Sequence, residues 1–150
     1  QHLQMNRISN VCVIGCLVGD ERLENVEFYE MNGDSGMNTI SGVKKGEREY
    51  EKVLKRQITI DDFVKENGVV PELIKIDVEG AEVKVLSGGE RVLKKYHPEI
   101  ILSVHAKHIK DIGSSLDHLK KTISCLGYEI YNIDGTRVKD ELVSREYYLV

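Results

Sequence analysis

The sequence Leu-Ile-Lys-Ile-Asp-Val-Glu-Gly-Ala-Glu at residues 73–82 decides the fold of this chain, because an apolar run ends there at acidic residues and a glycine. This pattern predicts a buried strand over residues 73–78 that leads into a helix. Ligands of open α/β sheets bind just outside the carboxyl ends of the strands. Asp77 and Glu79 are therefore the first candidate functional residues. Glu82 is a weaker candidate, since acidic side chains are common in the first turn of a helix.

Length and composition predict one globular domain over residues 1–150, with 41% hydrophobic and 31% charged residues. The 21 basic and 25 acidic residues give a net charge of -4, which predicts no binding to nucleic acid or to an anionic membrane. Small-molecule partners are favoured. No apolar run is long enough to span a bilayer and no leader sequence opens the chain, so we expect a cytoplasmic location.

The three cysteines, Cys12, Cys16 and Cys125, are spaced unlike any disulfide framework or zinc knuckle. We expect them to be reduced residues of the core.

Periodicity predicts a mixed order of helices and strands. Residues 11–18 are apolar on both faces, as in a strand covered on both sides, and residues 26–58 have the alternation and turn formers of an antiparallel meander. Thr59 and Asp62 have the spacing of a capping box. The other predicted elements are helices over 81–86 and from Gly89 to 96, a strand over 100–104, a helix capped by Ser114, and an antiparallel pair at 128–133 and 147–150.

His105 ends the predicted strand over 100–104, which would run parallel to the strand before Asp77. Its imidazole is therefore expected to face the same crevice as Asp77, where it would suit a general base. His108 and Asp111 follow at three-residue steps, so a metal site formed by His105, His108 and Asp111 is an alternative. The spacing is weak evidence, and no metal is predicted among the preferred site residues.

The residues then suggest a family. Ile-Lys-Ile-Asp-Val-Glu-Gly-Ala-Glu at residues 74–82, followed by Val85-Leu86 and Gly88-Gly89, resembles the signature of the FkbM family of S-adenosylmethionine-dependent methyltransferases. Further likeness is found in Thr-Ile-Asp-Asp-Phe at 59–63, in Pro-Glu-Ile-Ile-Leu at 98–102 and in Gly127-Tyr128. The resemblance implies an α/β, Rossmann-like class I methyltransferase fold. Its mixed sheet would have parallel central strands, an inserted antiparallel meander and a C-terminal antiparallel pair.

The resemblance also implies a function. The cofactor would be S-adenosyl-L-methionine, and the reaction would be O-methylation of a hydroxyl on a sugar, glycolipid or polyketide-like small molecule. Asp77 would lie near the reacting centre, with Glu79 or His105 as base or substrate-orienting group. Cys16 and Leu17 would neighbour the adenine ring, and Val78 would join Asp77 in cofactor binding. Ser103 stands where the family often has a glutamate.

Members of the family carry an earlier strand, glycine loop, helix and second strand that hold most of the cofactor, and the chain lacks them. It is therefore expected to be the C-terminal portion of a methyltransferase domain. On its own, this fragment is a candidate for an inactive form of the enzyme. The missing strands would lie between residues 11–18 and 73–78. We expect these two strands to pair directly or to exchange edges with a second copy, giving a homo-oligomer. A non-catalytic Rossmann-like binding or oligomerisation module remains an alternative function.

Overall fold

The computed structural model describes residues 2–31 and 50–150, which form seven strands and six helices. The predicted turn at 32–36 and strand at 38–41 lie outside the described residues. The strands are β1 (Leu17–Val18), β2 (Leu23–Met31), β3 (Tyr50–Ile58), β4 (Leu73–Ile76), β5 (Glu99–Ser103), β6 (Ile130–Asn132) and β7 (Glu146–Leu149). The helices are α1 (His2–Met5), α2 (Ile60–Asn67), α3 (Glu82–Gly88), α4 (Glu90–Tyr96), α5 (Ala106–Asp111) and α6 (Leu116–Cys125).

The core lies on a four-stranded sheet of order β4-β5-β7-β6. β4 and β5 are parallel and are joined through α3 and α4, whereas β7 runs antiparallel to both β5 and β6. The predicted parallel crossover and C-terminal antiparallel pair are therefore confirmed. The side chains that fill the core are apolar and at most 2% exposed: Ile76, Leu86, Leu93, Ile100, Leu102, Leu119, Ile123 and Leu149.

Two helix starts test the predicted caps. The Thr59 hydroxyl accepts a hydrogen bond from the Asp62 backbone N–H at 2.9 Å, so the predicted capping position of α2 is confirmed. The predicted cap of α6 is wrong by one residue. Ser115 has the extended backbone of an N-cap and accepts from the His118 N–H at 3.1 Å, while the Ser114 hydroxyl lies 3.3 Å from the His118 ring. Ser114 and Ser115 both match the sequence pattern of an N-cap. Because the helix begins at Leu116, Ser115 is the residue that caps it.

A second sheet, of order β1-β3-β2, contains two of the predicted meander strands, β2 and β3. The strand predicted over residues 11–18 is wrong in length and burial, because only Leu17–Val18 is paired, in parallel with β3. Val11 and Val13 are 51% and 76% exposed. A strand forms where it finds a hydrogen-bonding partner, and among the described residues β3 reaches only the end of this segment. The cysteines are free, but Cys12 and Cys125 are exposed and Cys16 is half-buried, so their predicted core position is also wrong.

The facing edges of the two sheets do not meet. β1 pairs with β3 and β4 pairs with β5, so the predicted direct pairing of residues 11–18 with residues 73–78 is wrong. Between them lies an apolar cavity of about 320 Å³. Side chains of α2 line this cavity, whose walls include Cys16, Val18, Ile58, Phe63, Val64 and Ile74. Edge exchange with a second copy stays a prediction.

In the described part of the chain, no helix is long and apolar enough to cross a membrane.

Gly88 at the end of α3 provides a test of the contact between this helix and the β1 end of the smaller sheet. A methyl group on Gly88 would overlap the Gly19 carbonyl oxygen, whereas a methyl group on Gly15 would meet nothing within 4 Å. We expect Gly88→Ala to lower the free energy of unfolding by about 1–3 kcal/mol, because overpacking against backbone is destabilising. Gly15→Ala should change it by less than about 0.5 kcal/mol. Urea denaturation of both variants measures this; equal stabilities would contradict the close packing.

Tyr128 gives a second test. Its buried hydroxyl donates to the Pro98 carbonyl oxygen at 2.8 Å, and burial raises the pKa of this phenol to about 12. Because the folded protein resists ionisation that the unfolded chain undergoes near pH 10, the stability that this group contributes is complete below about pH 10 and falls between about pH 10 and 12. Tyr128→Phe should show a smaller fall over that window in thermal unfolding. An identical fall in both proteins would contradict the assignment.

Candidate functional site

Three side chains meet at the carboxyl ends of the parallel strands β4 and β5. Asp77 and Glu79 follow β4, and His105 lies between β5 and α5. The His105 Nε2 atom is 3.6 Å from Asp77 Oδ1 and 3.6 Å from Glu79 Oε1. The structure therefore brings together the three residues that the sequence indicated as catalytic, and their role stays a prediction. Asp77 is about half exposed, so the cluster is open to solvent on that side.

The turn between β4 and α3 aims Glu79 toward this cluster. Glu79 has a φ of 50°, a conformation that side-chain-bearing residues rarely adopt and that costs of order 1–3 kcal/mol. Gly80 follows with a φ of 109°, and a Cβ atom there would lie 2.8 Å from the His108 backbone. The tight approach places the second oxygen of Glu79 2.8 Å from His108 Nδ1. Such strained turns occur often at functional sites.

Glu82 is fully buried behind the His105 ring and fixes its orientation. Its Oε1 atom accepts hydrogen bonds from the backbone N–H groups of Gly80 and His105, both at 3.2 Å, and lies 2.8 Å from His105 Nδ1. Because Oε1 already acts as an acceptor toward two backbone groups, the ring N–H resides on Nδ1 and donates to it. In the neutral imidazole, Nε2 then carries a lone pair on the side of the ring near Asp77 and Glu79.

The second oxygen of Glu82 is buried and has no hydrogen-bond partner among residues 2–31 and 50–150. From the sequence, Glu82 is only a weak candidate functional residue, since a glutamate in the first turn of a helix is ordinary. The available signal was its position between two apolar residues, Ala81 and Val83, which the structure also buries. A charged residue inside such a run is rarely buried unless it is paired.

Lys75 and Glu146 are site neighbours that sequence reasoning missed. The Lys75 ammonium group is 2.5 Å from Glu146 Oε1, contacts the Ser103 hydroxyl and lies 3.7 Å from Asp77 Oδ2. Its hydrogen bond and charge, together with the weaker Ser103 contact, lower the pKa of the Glu146 carboxyl below its ordinary value. Glu146 lies on β7, opposite Ser103, so only the sheet register reveals it.

The predicted cofactor-binding residues occupy different parts of the chain. Cys16 lines the apolar cavity, and Leu17 is half-buried in β1 opposite Gln57. Val78 is half-buried and packs against the core, directly after Asp77. The wall of the cavity that faces Cys16 is formed in part by Ile74 of β4.

The alternative metal site is not brought together. In the described ranges, the group of three potential ligands whose atoms all lie within 4.8 Å of one another is Asp77, Glu79 and His105. His108 contacts Glu79 instead, and Asp111 ends α5 outside this group. The His105 and His108 rings stack with their centroids 6.0 Å apart, but the His108 Nδ1 atom faces Glu79 Oε2.

Comparison with known proteins gives consistent results. Residues 14–130 match a family model described as the methyltransferase FkbM domain. A crystal structure of methyltransferase FkbM from Methylobacillus flagellatus KT superposes on 99% of this chain with a TM-score of 0.54 and 21% sequence identity. The chain spans only 32% of that structure's length. No curated protein matches it significantly. The predicted Rossmann-like fold with a mixed sheet is confirmed.

Replacement of Glu82 tests its role in holding the site. Glu82→Ala leaves the His105 ring N–H and two backbone N–H groups without their acceptor, so we expect the free energy of unfolding to fall by roughly 2–5 kcal/mol. The exposed Glu141 offers a matched control, for which Glu141→Ala should cost less than about 0.5 kcal/mol. Urea denaturation followed by circular dichroism compares the two. Similar stabilities would show that Glu82 does not hold the site together.

Proposed function

The chain belongs to the FkbM methyltransferase family, and on that premise we propose that it transfers the methyl group of S-adenosyl-L-methionine to a hydroxyl oxygen of a small molecule. The acceptor class is a sugar, glycolipid or polyketide-like molecule. The observation that carries the proposal is the convergence of Asp77, Glu79 and His105 at the carboxyl ends of two parallel strands. A cytoplasmic location is part of the same proposal.

The residues around the cavity fit part of the cofactor. Cys16 lines the apolar cavity, which suits an adenine ring, and Leu17 follows it in β1. The half-exposed Asp77 offers a carboxylate that can accept hydrogen bonds. Val78 adds apolar contact beside Asp77. When bound, S-adenosyl-L-methionine supplies a methyl group already activated by its sulfonium. The protein then has to position an acceptor, exclude water and take up a proton.

The cluster suits the last of these tasks. Asp77 Oδ1, Glu79 Oε1 and His105 Nε2 each present a lone pair to a shared space, and an acceptor hydroxyl placed there can donate its hydrogen to one of them. With the cofactor bound, the acceptor oxygen would gain the methyl group as the methyl–sulfur bond breaks and a neutral thioether is released, and the cluster would take up the hydroxyl proton. The fixed orientation of the three groups would hold the acceptor hydroxyl in one position.

We expect the 150 residues alone to bind the cofactor weakly. The chain spans 32% of the structure it resembles, and the glycine-loop half implied by the family would supply most of the cofactor contacts. Within residues 2–31 and 50–150, β1 pairs only with β3 and β4 only with β5, and the remaining edge of each strand favours a second candidate function, a non-catalytic Rossmann-like module that binds a partner by strand exchange. A concentration-dependent dimer without methyl transfer would distinguish it.

The reaction proposal is tested with Asp77→Asn, which keeps the shape of the side chain and removes its charge. We expect the rate of methyl transfer to fall by about 10²-fold or more, because Asp77 borders the reacting groups. Asp140→Asn, an exposed aspartate far from the cluster in the sequence, should leave the rate unchanged. The measurement is transfer of radiolabelled methyl from millimolar S-adenosyl-L-methionine to a panel of sugars and polyols. Equal rates of methyl transfer in the two variants would show that Asp77 is not part of the reacting site.

A further inference from the structure

We propose that Asp77, Glu79 and His105 form a binding site for a divalent first-row metal ion such as Mn²⁺ or Zn²⁺. Each residue offers one ligand atom, and the three atoms all lie within 4.8 Å of one another. This set differs from the metal site considered from the sequence, which combined His105 with His108 and Asp111. Three features support the site: the atoms that face inward, the outer partners that hold each ligand, and the charge around the cluster.

The inward-facing atoms are all electron-pair donors. Because Glu82 takes the His105 Nδ1–H, the Nε2 lone pair points at Asp77 Oδ1 and Glu79 Oε1, each 3.6 Å away. In the described ranges no hydrogen-bond donor is recorded between these three atoms. Three lone pairs that face one another repel unless a cation lies between them. A metal ion satisfies all three at once, whereas a single proton on Nε2 points in only one direction.

The outward-facing atom of each proposed ligand is already held. Asp77 Oδ2 lies 3.7 Å from the Lys75 ammonium group, and Glu79 Oε2 lies 2.8 Å from His108 Nδ1. His105 Nδ1 lies 2.8 Å from the buried Glu82 carboxylate. Metal-binding histidines and carboxylates are typically oriented by such outer partners, and an imidazole–carboxylate pair is one of the known forms. An ordinary cluster of surface acids would not need an outer partner on every member.

The charge around the cluster also favours a cation. Asp77, Glu79 and Glu82 contribute three carboxylates, and Lys75 is the single Lys or Arg side chain within ion-pair distance of them in the described ranges. Glu82 is fully buried, and its second oxygen has no hydrogen-bond partner there. A buried carboxylate is costly unless a positive charge lies close to it. A metal ion bound to His105 Nε2 would supply positive charge to the Glu82 carboxylate by way of the imidazole ring.

Distances and ligand type narrow the choice of ion. Ligand atoms held at about 2.1 Å from an ion are about 3.0–3.4 Å apart in octahedral and tetrahedral shells. The two 3.6 Å spacings from His105 Nε2 are a few tenths of an ångström longer than this, and the Asp77 and Glu79 oxygens lie within 4.8 Å of each other. An imidazole nitrogen suits zinc, iron and nickel, and carboxylates suit magnesium and manganese. The mixed set therefore favours Mn²⁺ or Zn²⁺ over Mg²⁺. Three protein ligands leave an open position on the exposed Asp77 side.

The open position has a use if the proposed function is correct. A hydroxyl oxygen bound to the ion would have a lowered pKa and would be a better methyl acceptor. This role rests on the proposed function, whereas binding of the ion does not.

The test is a Mn²⁺ titration of the 150-residue chain, freed of metal with a chelator and followed by the electron paramagnetic resonance signal of free Mn²⁺. We expect saturable binding of one ion per chain, with competition by Zn²⁺ and weaker binding of Mg²⁺. Asp77→Asn should weaken Mn²⁺ binding at least about tenfold, and Glu82→Gln by about 10–100-fold through loss of the outer partner. Asp111→Asn is the matched control and should bind Mn²⁺ like the parent protein.

Two results would overturn the site: no saturable binding at millimolar Mn²⁺, or equal affinity in the parent and Asp77→Asn proteins. Circular dichroism confirms folding, and because the Asp77 side chain is 52% exposed, its substitution does not depend on core packing. Methyl transfer that persists in chelator would overturn the ion's role in the reaction while leaving the proposed function in place. Bound Mn²⁺ without any methyl transfer would support the site and count against the proposed function.

Discussion

A buried carboxylate holds the functional end of this protein together. Glu82 begins α3, yet its Oε1 atom accepts from the backbone of Gly80 in the preceding turn and from both the backbone and ring of His105 after β5. These contacts link the segments that follow β4 and β5, just beyond the carboxyl ends of the two strands. The position of His105 relative to Asp77 and Glu79 depends on this group, because an imidazole without a fixed Nδ1 partner would rotate.

The apolar cavity gives the structure its second main feature. The four-stranded sheet has a core whose residues are almost completely buried, while β1 at the other side of the cavity is short and its preceding residues are exposed. β4 keeps a free edge toward the cavity in the described part of the chain, although its other edge pairs with β5. Unpaired edges bordered by apolar side chains favour the addition of further strands. The free edges are therefore the part of the described structure best suited to pairing with further strands.

Local signals in the sequence were sufficient for the elements of the core. Strands β4 and β5, and the start of α2 after Thr59, are encoded by runs and caps within a few residues. The segment over 11–18 was predicted wrongly because its apolar pattern indicates a strand whether or not neighbouring strands exist. Lys75 and Glu146 were missed for a similar reason: their contact joins residues 71 positions apart and appears only once β7 is placed beside β5. Sequence periodicity contains no information on such cross-sheet partners.

In the proposed function, S-adenosyl-L-methionine contacts the cavity edge and the end of β4. A titration of the ¹⁵N-labelled chain with millimolar S-adenosyl-L-methionine, followed by two-dimensional NMR, detects weak binding residue by residue. We expect concentration-dependent shifts centred on Cys16, Leu17, Asp77 and Val78. Shifts confined to other surfaces, or no shifts at these four residues at saturating cofactor, would contradict this proposal.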